Sequence, residues 1–240
     1  MNDLLNQVLV SIIVLLGSFM KGLSGVGFGL IVMSTLPLVL PVKLVVPVVA
    51  LLKFITSATL LIYHHQSFKL KAVIKLLIGA IMTVPVGVLA FKTLNEKYIL
   101  IGAGIVVVSY ALYGLFGPPL EKLKSSVWGY IFGALSGLLS GAYNIGGPPL
   151  IIYANSCQWN PDEFKSNLQS VLMINITLVV ITHFFEGSFT PEVAYLFLIT
   201  LPAMVIGLFA SGLLSKHVNQ DLFRTIVLIM LVFMGIKLMI

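Results

Sequence analysis

Long apolar runs alternate with short polar links along the whole chain. The runs predict full helices over residues 46–63, 72–92, 97–116, 160–185, 190–214 and 221–240, and further apolar segments over residues 4–20 and from 128 to about 140. A run of about 20 apolar residues has the length that crosses a bilayer. The pattern therefore predicts an all-α integral membrane protein with many crossings.

Two of the apolar segments are interrupted by residues that do not suit a membrane helix. The interruptions cover residues 21–29 and 140–149, and short apolar pieces follow at 30–40 and 150–154. Glycine costs a helix about 1 kcal/mol relative to alanine, and proline costs about 3. Irregular backbone survives at membrane depth only where protein buries it or where it lines a cavity. Both interruptions are therefore candidates for a binding site.

The two halves of the chain match each other. Ser24-Gly25 aligns with Ser140-Gly141, and the helix that ends at His64 matches the helix that carries His183. We interpret residues 1–120 and 121–240 as homologous repeats of a single membrane domain. Each repeat has one glycine-rich broken or re-entrant segment and three transmembrane helices. Interrupted helices at equivalent places in two halves indicate a transporter site.

The positive charges of the loops favour one orientation of the repeats. If every segment spans the membrane, the halves are parallel and six Lys or Arg residues lie on each side. If each broken segment enters and returns, the halves are inverted, and eight of these residues lie on one side against four on the other. Cytoplasmic loops carry an excess of Lys and Arg. The count favours inverted repeats.

Composition excludes several functions. Hydrophobic residues make up 59% of the 240 residues and charged residues 9%, whereas soluble domains are about 25% charged. The single Cys157 excludes an intrachain disulfide and a thiolate metal site. We expect no metal and no cofactor. The net charge of +6 is spread over short loops, which reflects membrane topology and not nucleic-acid binding.

The interruptions predict an anion site. A half-helix that starts at a glycine turn points free N–H groups and a positive dipole end at its ligand. Close packing through small residues is the alternative, and we favour packing for Ser136-Gly137. The residues that we predict to bind substrate are Ser24, Gly25, Gly27, Lys53, Ser140, Asn144, Gly146, Gly147 and Pro148.

Lys53 is the most informative single residue because it lies in the middle of an apolar helix. A charge at that depth costs about 2.5–3.5 kcal/mol on the lenient insertion scale. We therefore expect Lys53 to face the interior of the bundle or a water-filled path, where it attracts an anion. The alternative is a lysine whose long stem reaches the membrane surface.

Four other polar residues are candidates for proton relay or gating, namely His64, His183, Gln169 and Asn175. Histidine titrates near neutral pH and could relay protons, but for the histidines we favour the alternative of an interfacial polar role. Asn95, Asn160 and Asn219 each precede a predicted helix and are expected to cap it. Asp162 and Glu163 lie in the capping turn after Asn160-Pro161, so a cation site built on carboxylates is poorly supported.

The two interruptions resemble those of the sulfite exporter TauE/SafE family, also called the 4-toluene sulfonate uptake permease family. The resemblance is carried by residues 22–29 with Pro37 downstream and by residues 140–149, and it covers essentially the whole chain. It implies an integral membrane protein that moves sulfur-containing anions such as sulfite, sulfonates or sulfoacetate. The first motif is poorer in glycine than the family pattern.

The sequence therefore predicts secondary transport of a small anion across a bacterial plasma membrane. We expect the substrate to bind between the two interruptions near the midplane, with one half rocking against the other. An anion channel of the same architecture, a membrane-embedded enzyme and a membrane scaffold are the alternatives, and the enzyme lacks an obvious nucleophile or metal set. The expected partners are the anion and the lipid bilayer, and self-association into a homo-oligomer is compatible with the sequence.

Overall fold

The computed structural model of the chain describes residues 2–64, 67–117, 125, 127–214 and 220–240. Helices and the turns between them account for these residues, and no strand occurs among them. The helices are α1 (Asn2–Ser24), α2 (Phe28–Thr35), α3 (Val42–His64), α4 (Leu70–Thr93), α5 (Glu96–Phe116), α6 (Val127–Tyr143), α7 (Gly147–Ser156), α8 (Pro161–Phe185), α9 (Pro191–Leu214) and α10 (Gln220–Met239). A short 3-10 turn, Leu36–Leu38, follows α2.

Six helices of the described chain are long and apolar enough to cross a membrane, namely α1, α3, α4, α5, α8 and α9. The prediction of an all-α, multi-pass membrane protein is thereby confirmed. The helices α2 and α7 are too short to cross a bilayer alone, since a crossing takes about 20 residues.

Asparagine side chains start two of the long helices, as the sequence predicts. The Oδ1 atom of Asn95 accepts a hydrogen bond from the backbone N–H of Lys97 at 3.0 Å, and Asn160 accepts one from Glu163 at 2.8 Å. Each bond satisfies a backbone donor that the first turn of a helix leaves unpaired. Asn219, predicted to cap α10, lies outside the described residues.

The helix α3 begins earlier than the sequence predicts. It starts at Val42 and not at residue 46, so that Pro47 lies beyond the first turn of the helix. The carbonyl oxygen of Pro41 accepts hydrogen bonds from the next turn, including one from Val45 N–H at 3.2 Å. The carboxylate of Glu96 accepts the N–H of Val42 at 3.0 Å. A side chain that is distant in sequence thus completes the start of the helix.

Both interruptions are narrower than predicted. The helix α1 continues through Lys21 to Ser24, and α6 continues through Ser140 to Tyr143. Pro148 lies at the start of α7, where its missing N–H costs nothing because the first helical donors have no partner in the helix.

The helix ends also change the alignment of the two halves. The first residue after α1 is Gly25, with a φ angle of 78°, and the first residue after α6 is Asn144, with a φ angle of 56°. Both turn the chain out of a helix through the left-handed region, which glycine and asparagine tolerate best. In the predicted repeats, this match pairs Gly25 with Asn144, which differs by three positions from the alignment of Ser24-Gly25 with Ser140-Gly141. The alignment of the halves stays a prediction.

Contacts divide the helices into two units that each draw on both halves of the chain. Unit 1 consists of Met1–Leu52, Asn95–Pro118 and Phe189–Ile240, and unit 2 consists of Lys53–Leu94 and Pro119–Ser188. Unit 1 contains α1, α2, α5, α9 and α10, whereas unit 2 contains α4, α6, α7 and α8. The boundary of the repeats near residue 120 stays a prediction.

In unit 2, α6 lies against α4 through a row of glycines. A Cβ atom at Gly133 would overlap the backbone of Leu76, and one at Gly141 would overlap the backbone of Val84, with Gly137 in the same row between them. Residue numbers rise together along the contact, so the two helices are parallel. Small residues at this spacing allow helix backbones to approach closely.

In unit 1, α1 packs against α9 and α5 packs against α10. Gly207 of α9 faces the backbone of Leu15 in α1, and α1 runs in the same direction as α9, since Gly22 faces Ser211 further along. The helices α5 and α10 are antiparallel: Gly104, near the start of α5, faces Gly235 and Met239 at the end of α10, whereas Gly114, near the end of α5, faces Leu228.

Candidate functional site

The end of α6 and the start of α7 form a tight polar turn inside unit 2. The N–H of Asn144 bonds to the carbonyl of Ser140 at 3.0 Å, and the N–H of Ile145 bonds to that of Leu139 at 3.1 Å. The helix α7 then folds back along α6, as the rings of Phe132 and Tyr153 show by lying 5.9 Å apart. The turn is thus fixed by its own backbone before any ligand binds.

Three buried side chains brace this turn. The hydroxyl of Ser136 donates to the carbonyl of Gly146 at 2.7 Å. The amide Nδ2 of Asn175, on α8, donates to Ser136 Oγ at 3.0 Å and to Ser140 Oγ at 3.4 Å. A Cβ atom at Gly146 would overlap Ser140 Oγ, so only glycine fits there. Ser136 and Ser140 of α6, Asn175 of α8 and Gly146 of the turn therefore form one hydrogen-bonded cluster.

Lys53 reaches the same turn from α3. Its side chain is 5% exposed, and its Nζ atom donates to the carbonyl of Asn144 at 2.8 Å. That distance is typical of a hydrogen bond from a charged donor. The alternative, a lysine whose stem carries its charge to the membrane surface, is wrong because the ammonium group ends on buried backbone.

The buried charges are positive wherever the structure describes burial. Lys21 in unit 1 and Lys53 in unit 2 are both buried, whereas no Asp or Glu is buried among these residues. The described carboxylates that form ion pairs, Glu163 with Lys69 and Glu186 with Lys92, lie partly exposed near helix ends. Moving an ion out of water costs several kcal/mol. The described part of the chain thus buries two lysines and no carboxylate.

The prolines reduce what the start of α7 can offer a ligand. Pro148 and Pro149 occupy the first turn, and proline has no N–H. Of the first four residues of α7, only Gly147 and Leu150 carry a backbone donor. An anion at this turn would therefore bind chiefly to side chains, and not to the row of N–H groups that the sequence analysis expects.

The turn between α1 and α2, in unit 1, is built on backbone. Gly25 and Gly27 have φ angles of 78° and 109°, which side chains rarely allow. The hydroxyl of Ser24 donates to the carbonyl of Met20 at 2.9 Å and contacts the carbonyl of Val26. Ser24 thus braces its own turn. Lys21 lies in the last turn of α1.

Apart from Asn175, the candidates for proton relay or gating lie on α8 and at the end of α3. His183 is buried near the end of α8, where Nδ1 lies 3.1 Å from Ser188 Oγ and the ring meets Phe91 edge to face at 6.0 Å. Gln169 is buried on α8. His64 ends α3, and its side chain lies outside the description. The roles of His64, His183 and Gln169 in proton relay or gating stay predictions.

Ser136 has a different role from the packing role that the sequence predicts, because it bonds to both Gly146 and Asn175. Ser136, Ser140 and Asn144 are four residues apart, which places them on one face of a helix. That spacing was the available signal. The glycines of the same stretch occupy another face, against α4.

The described residues contain no group of three His, Cys, Asp or Glu side chains that could hold a metal ion. The donors of the cluster are hydroxyl, amide and ammonium groups, which do not form a site for a transition metal.

Short half-helices, a buried polar turn and buried lysines within a bundle of apolar helices define the class of protein: a membrane protein that handles small polar solutes. The chain belongs to the sulfite exporter TauE/SafE family, whose model matches residues 9–238. This family consists of exporters, so the chain is a membrane transport protein and not an enzyme.

A relative from Cupriavidus necator, described as a probable sulfite/organosulfonate exporter TauE, is 30% identical over 199 residues. The match covers 79% of this chain and 77% of the relative. No solved structure matches the chain. The family resemblance that the sequence motifs indicate is confirmed.

Proposed function

We propose that the chain is a secondary transporter of small sulfur-containing anions, such as sulfite, a sulfonate or sulfoacetate, in a bacterial plasma membrane. The observation that carries the proposal is the buried ammonium of Lys53 on the carbonyl of Asn144. The name of the Cupriavidus necator relative supplies the sulfur chemistry. The cluster supplies the positive charge and the neutral donors that an oxyanion needs.

Sulfite and organic sulfonates share a face of three oxygen atoms around one sulfur. Such a face calls for one cation and several hydrogen-bond donors, since each oxygen accepts more than one bond. Lys53 supplies the cation, while Ser140 and Asn144 supply neutral polar groups at the same turn. A site that binds the three-oxygen face makes no contact with the carbon substituent of a sulfonate. We therefore propose specificity for the sulfur oxyanion group itself.

Helix directions support the proposal that the two repeats are inverted. The helices α5 and α10 are equivalent members of the halves, and they lie antiparallel. Each broken segment also folds back: Gly17 of α1 faces Phe28 and Val32 of α2, and α7 returns along α6. These contacts support re-entrant segments, as the loop charges do.

Uptake into liposomes that contain purified protein tests the function. The panel consists of radiolabelled sulfite, sulfoacetate, isethionate, sulfate and chloride, and the key variant is Lys53→Met. Methionine has a similar volume, and replacing a buried charge with an apolar residue is often neutral or stabilising. The loss of one charged hydrogen bond predicts uptake about ten- to a hundredfold slower, while the protein stays folded.

Lys71→Met is the matched control, because Lys71 is exposed on α4 of the same unit. We expect it to transport at the rate of the unaltered chain. Saturation and counterflow identify a carrier, whereas conductance without saturation identifies the channel alternative. Normal uptake by Lys53→Met would contradict the assignment of the site. If the unaltered protein takes up no sulfur oxyanion, the proposed substrate class is wrong.

A further inference from the structure

We propose that the ammonium group of Lys53 occupies the place that a coupling alkali cation holds in other transporters with broken helices. The chain then binds and moves its anion without Na⁺ or K⁺. This inference rests on the transport function proposed above, and it adds which cation accompanies the substrate.

The C-terminal end of α6 attracts cations. The aligned peptide groups of a helix place about half a negative charge at its C-terminus. In transporters with discontinuous helices, unwound carbonyls and half-helix C-termini coordinate Na⁺ or a proton. Here the left-handed turn at Asn144 directs a carbonyl away from the helix ladder, and that carbonyl accepts from Lys53 Nζ at 2.8 Å.

The cation at this turn is covalently attached to the chain. Lys53 lies at the midpoint of α3, and its side chain is 5% exposed. The ammonium is therefore tethered beside the turn by a covalent stem. It is present in every molecule, whereas a free ion must bind from solution and loses translational entropy each time it binds.

The charges around the turn do not favour a second cation. The ligands of a bound alkali cation are oxygen atoms, often with a carboxylate among them. Unit 2 buries hydroxyl and amide groups near the turn, but its described carboxylates, Asp162, Glu163 and Glu186, are not buried. A second cation beside the ammonium would be repelled without a fixed negative charge to offset it. The turn thus holds one cation, and the chain supplies it.

The test measures uptake of radiolabelled sulfite and sulfoacetate by proteoliposomes whose only cation is Na⁺, K⁺ or N-methylglucamine. We expect equal rates for the unaltered protein in all three media. In Lys53→Ala the vacated space beside the Asn144 carbonyl admits a small cation. Its uptake should therefore be lost in N-methylglucamine and partly restored by methylammonium or Na⁺. Lys71→Ala should match the unaltered protein in every medium.

The outcomes separate the two proposals. Uptake by the unaltered protein that requires Na⁺ or K⁺ overturns the inference and leaves the transport function standing. Folded Lys53→Ala that no small cation restores also overturns it, because the lysine then acts in another way. If the unaltered protein takes up no anion, the transport function itself has failed. The comparison of media uses the unaltered protein, so it decides the question even if the variant does not fold.

Discussion

The two interruptions solve the same geometric problem with different chemistry. The turn after α1 uses two glycines with positive φ angles, Gly25 and Gly27, and the residues that start α2 all carry an N–H group. The turn after α6 uses Asn144 in the left-handed region, and prolines follow it in the first turn of α7. The first turn offers backbone donors, whereas the second offers side chains.

The two turns also differ in the position of their buried lysine. The buried lysine near the first turn, Lys21, lies on α1, the helix that this turn follows. The buried lysine at the second turn, Lys53, lies on a different helix, α3, and its Nζ atom donates a hydrogen bond to the turn. At the position of Lys21, the second half carries Ser140 when Gly25 is aligned with Asn144. The two repeats that the sequence predicts would therefore share the backbone turn and differ in the side chains that carry charge.

The largest effect should come from breaking the support of the second turn. Gly141→Ala places a methyl group into the backbone of Val84 on α4, and overpacking of this kind costs about 1–3 kcal/mol. We expect a value near the top of that range, measured by unfolding in detergent. Gly212→Ala is the control, because nothing lies within 4 Å of the added atom; equal stability of the two variants would contradict the prediction.

The first turn provides a contrast that sharpens this result. Gly22→Ala in α1 overlaps the side chain of Ser211 on α9, not backbone. The double variant Gly22→Ala/Ser211→Gly should therefore recover most of the stability that Gly22→Ala loses. A failure of this rescue would mean that the pair α1 and α9 is as rigid as α4 and α6.

The next effect concerns the left-handed residues. Gly25→Ala should cost about 1–2 kcal/mol, since a Cβ atom disfavours that region. Asn144→Gly should leave stability nearly unchanged, because glycine adopts the same angles. If Asn144 also binds substrate through its side chain, Asn144→Gly should lower uptake. Unchanged uptake would show that both turns need only their backbone.

A smaller effect should follow from losing one brace. Ser136→Ala removes the hydrogen bond to Gly146, which predicts a loss of about 1 kcal/mol. Ser24→Ala at the first turn is partly exposed and should cost less, because water can replace the lost partner. Thermal unfolding of the two variants side by side measures the difference, and a larger loss for Ser24→Ala would contradict it.

The smallest effect belongs to a charge at the edge of unit 2. Lys92 pairs with Glu186 at 2.6 Å, and both side chains are about one-third exposed. Exposed ion pairs contribute about 0–1 kcal/mol, so Lys92→Gln should change stability little and leave uptake intact. Loss of uptake in Lys92→Gln would show that charge matters beyond the buried turn.

Much of this fold could be predicted from the sequence, because membrane helices require long apolar runs and their interruptions require glycine, proline or asparagine. The caps at Asn95 and Asn160 followed from local chemistry in the same way. The buried position of Lys53 was expected because a charge in an apolar helix has few other stable places.

The parts that could not be predicted depend on tertiary contact. Ser140 and Gly141 look like helix breakers, yet they stay helical because Gly141 fits against the backbone of α4. The start of α3 depends on Glu96, a residue far along the chain. The role of Ser136 depends on Asn175 of another helix. None of these tertiary partners can be predicted from the residues near Gly141, Val42 or Ser136 in the sequence.

The composition of the two units has a consequence for how the chain assembles as it is made. When α6 leaves the ribosome, its partner α4 is already complete, so unit 2 can close once α8 has followed. Seven described helices, α2 to α8, separate α1 from its partner α9 along the chain. The glycine face of α1 can therefore pack against α9 only after those helices have been synthesised. Domains fold as units during synthesis, so unit 2, whose described segments precede α9, can close around the second turn before unit 1 closes around the first.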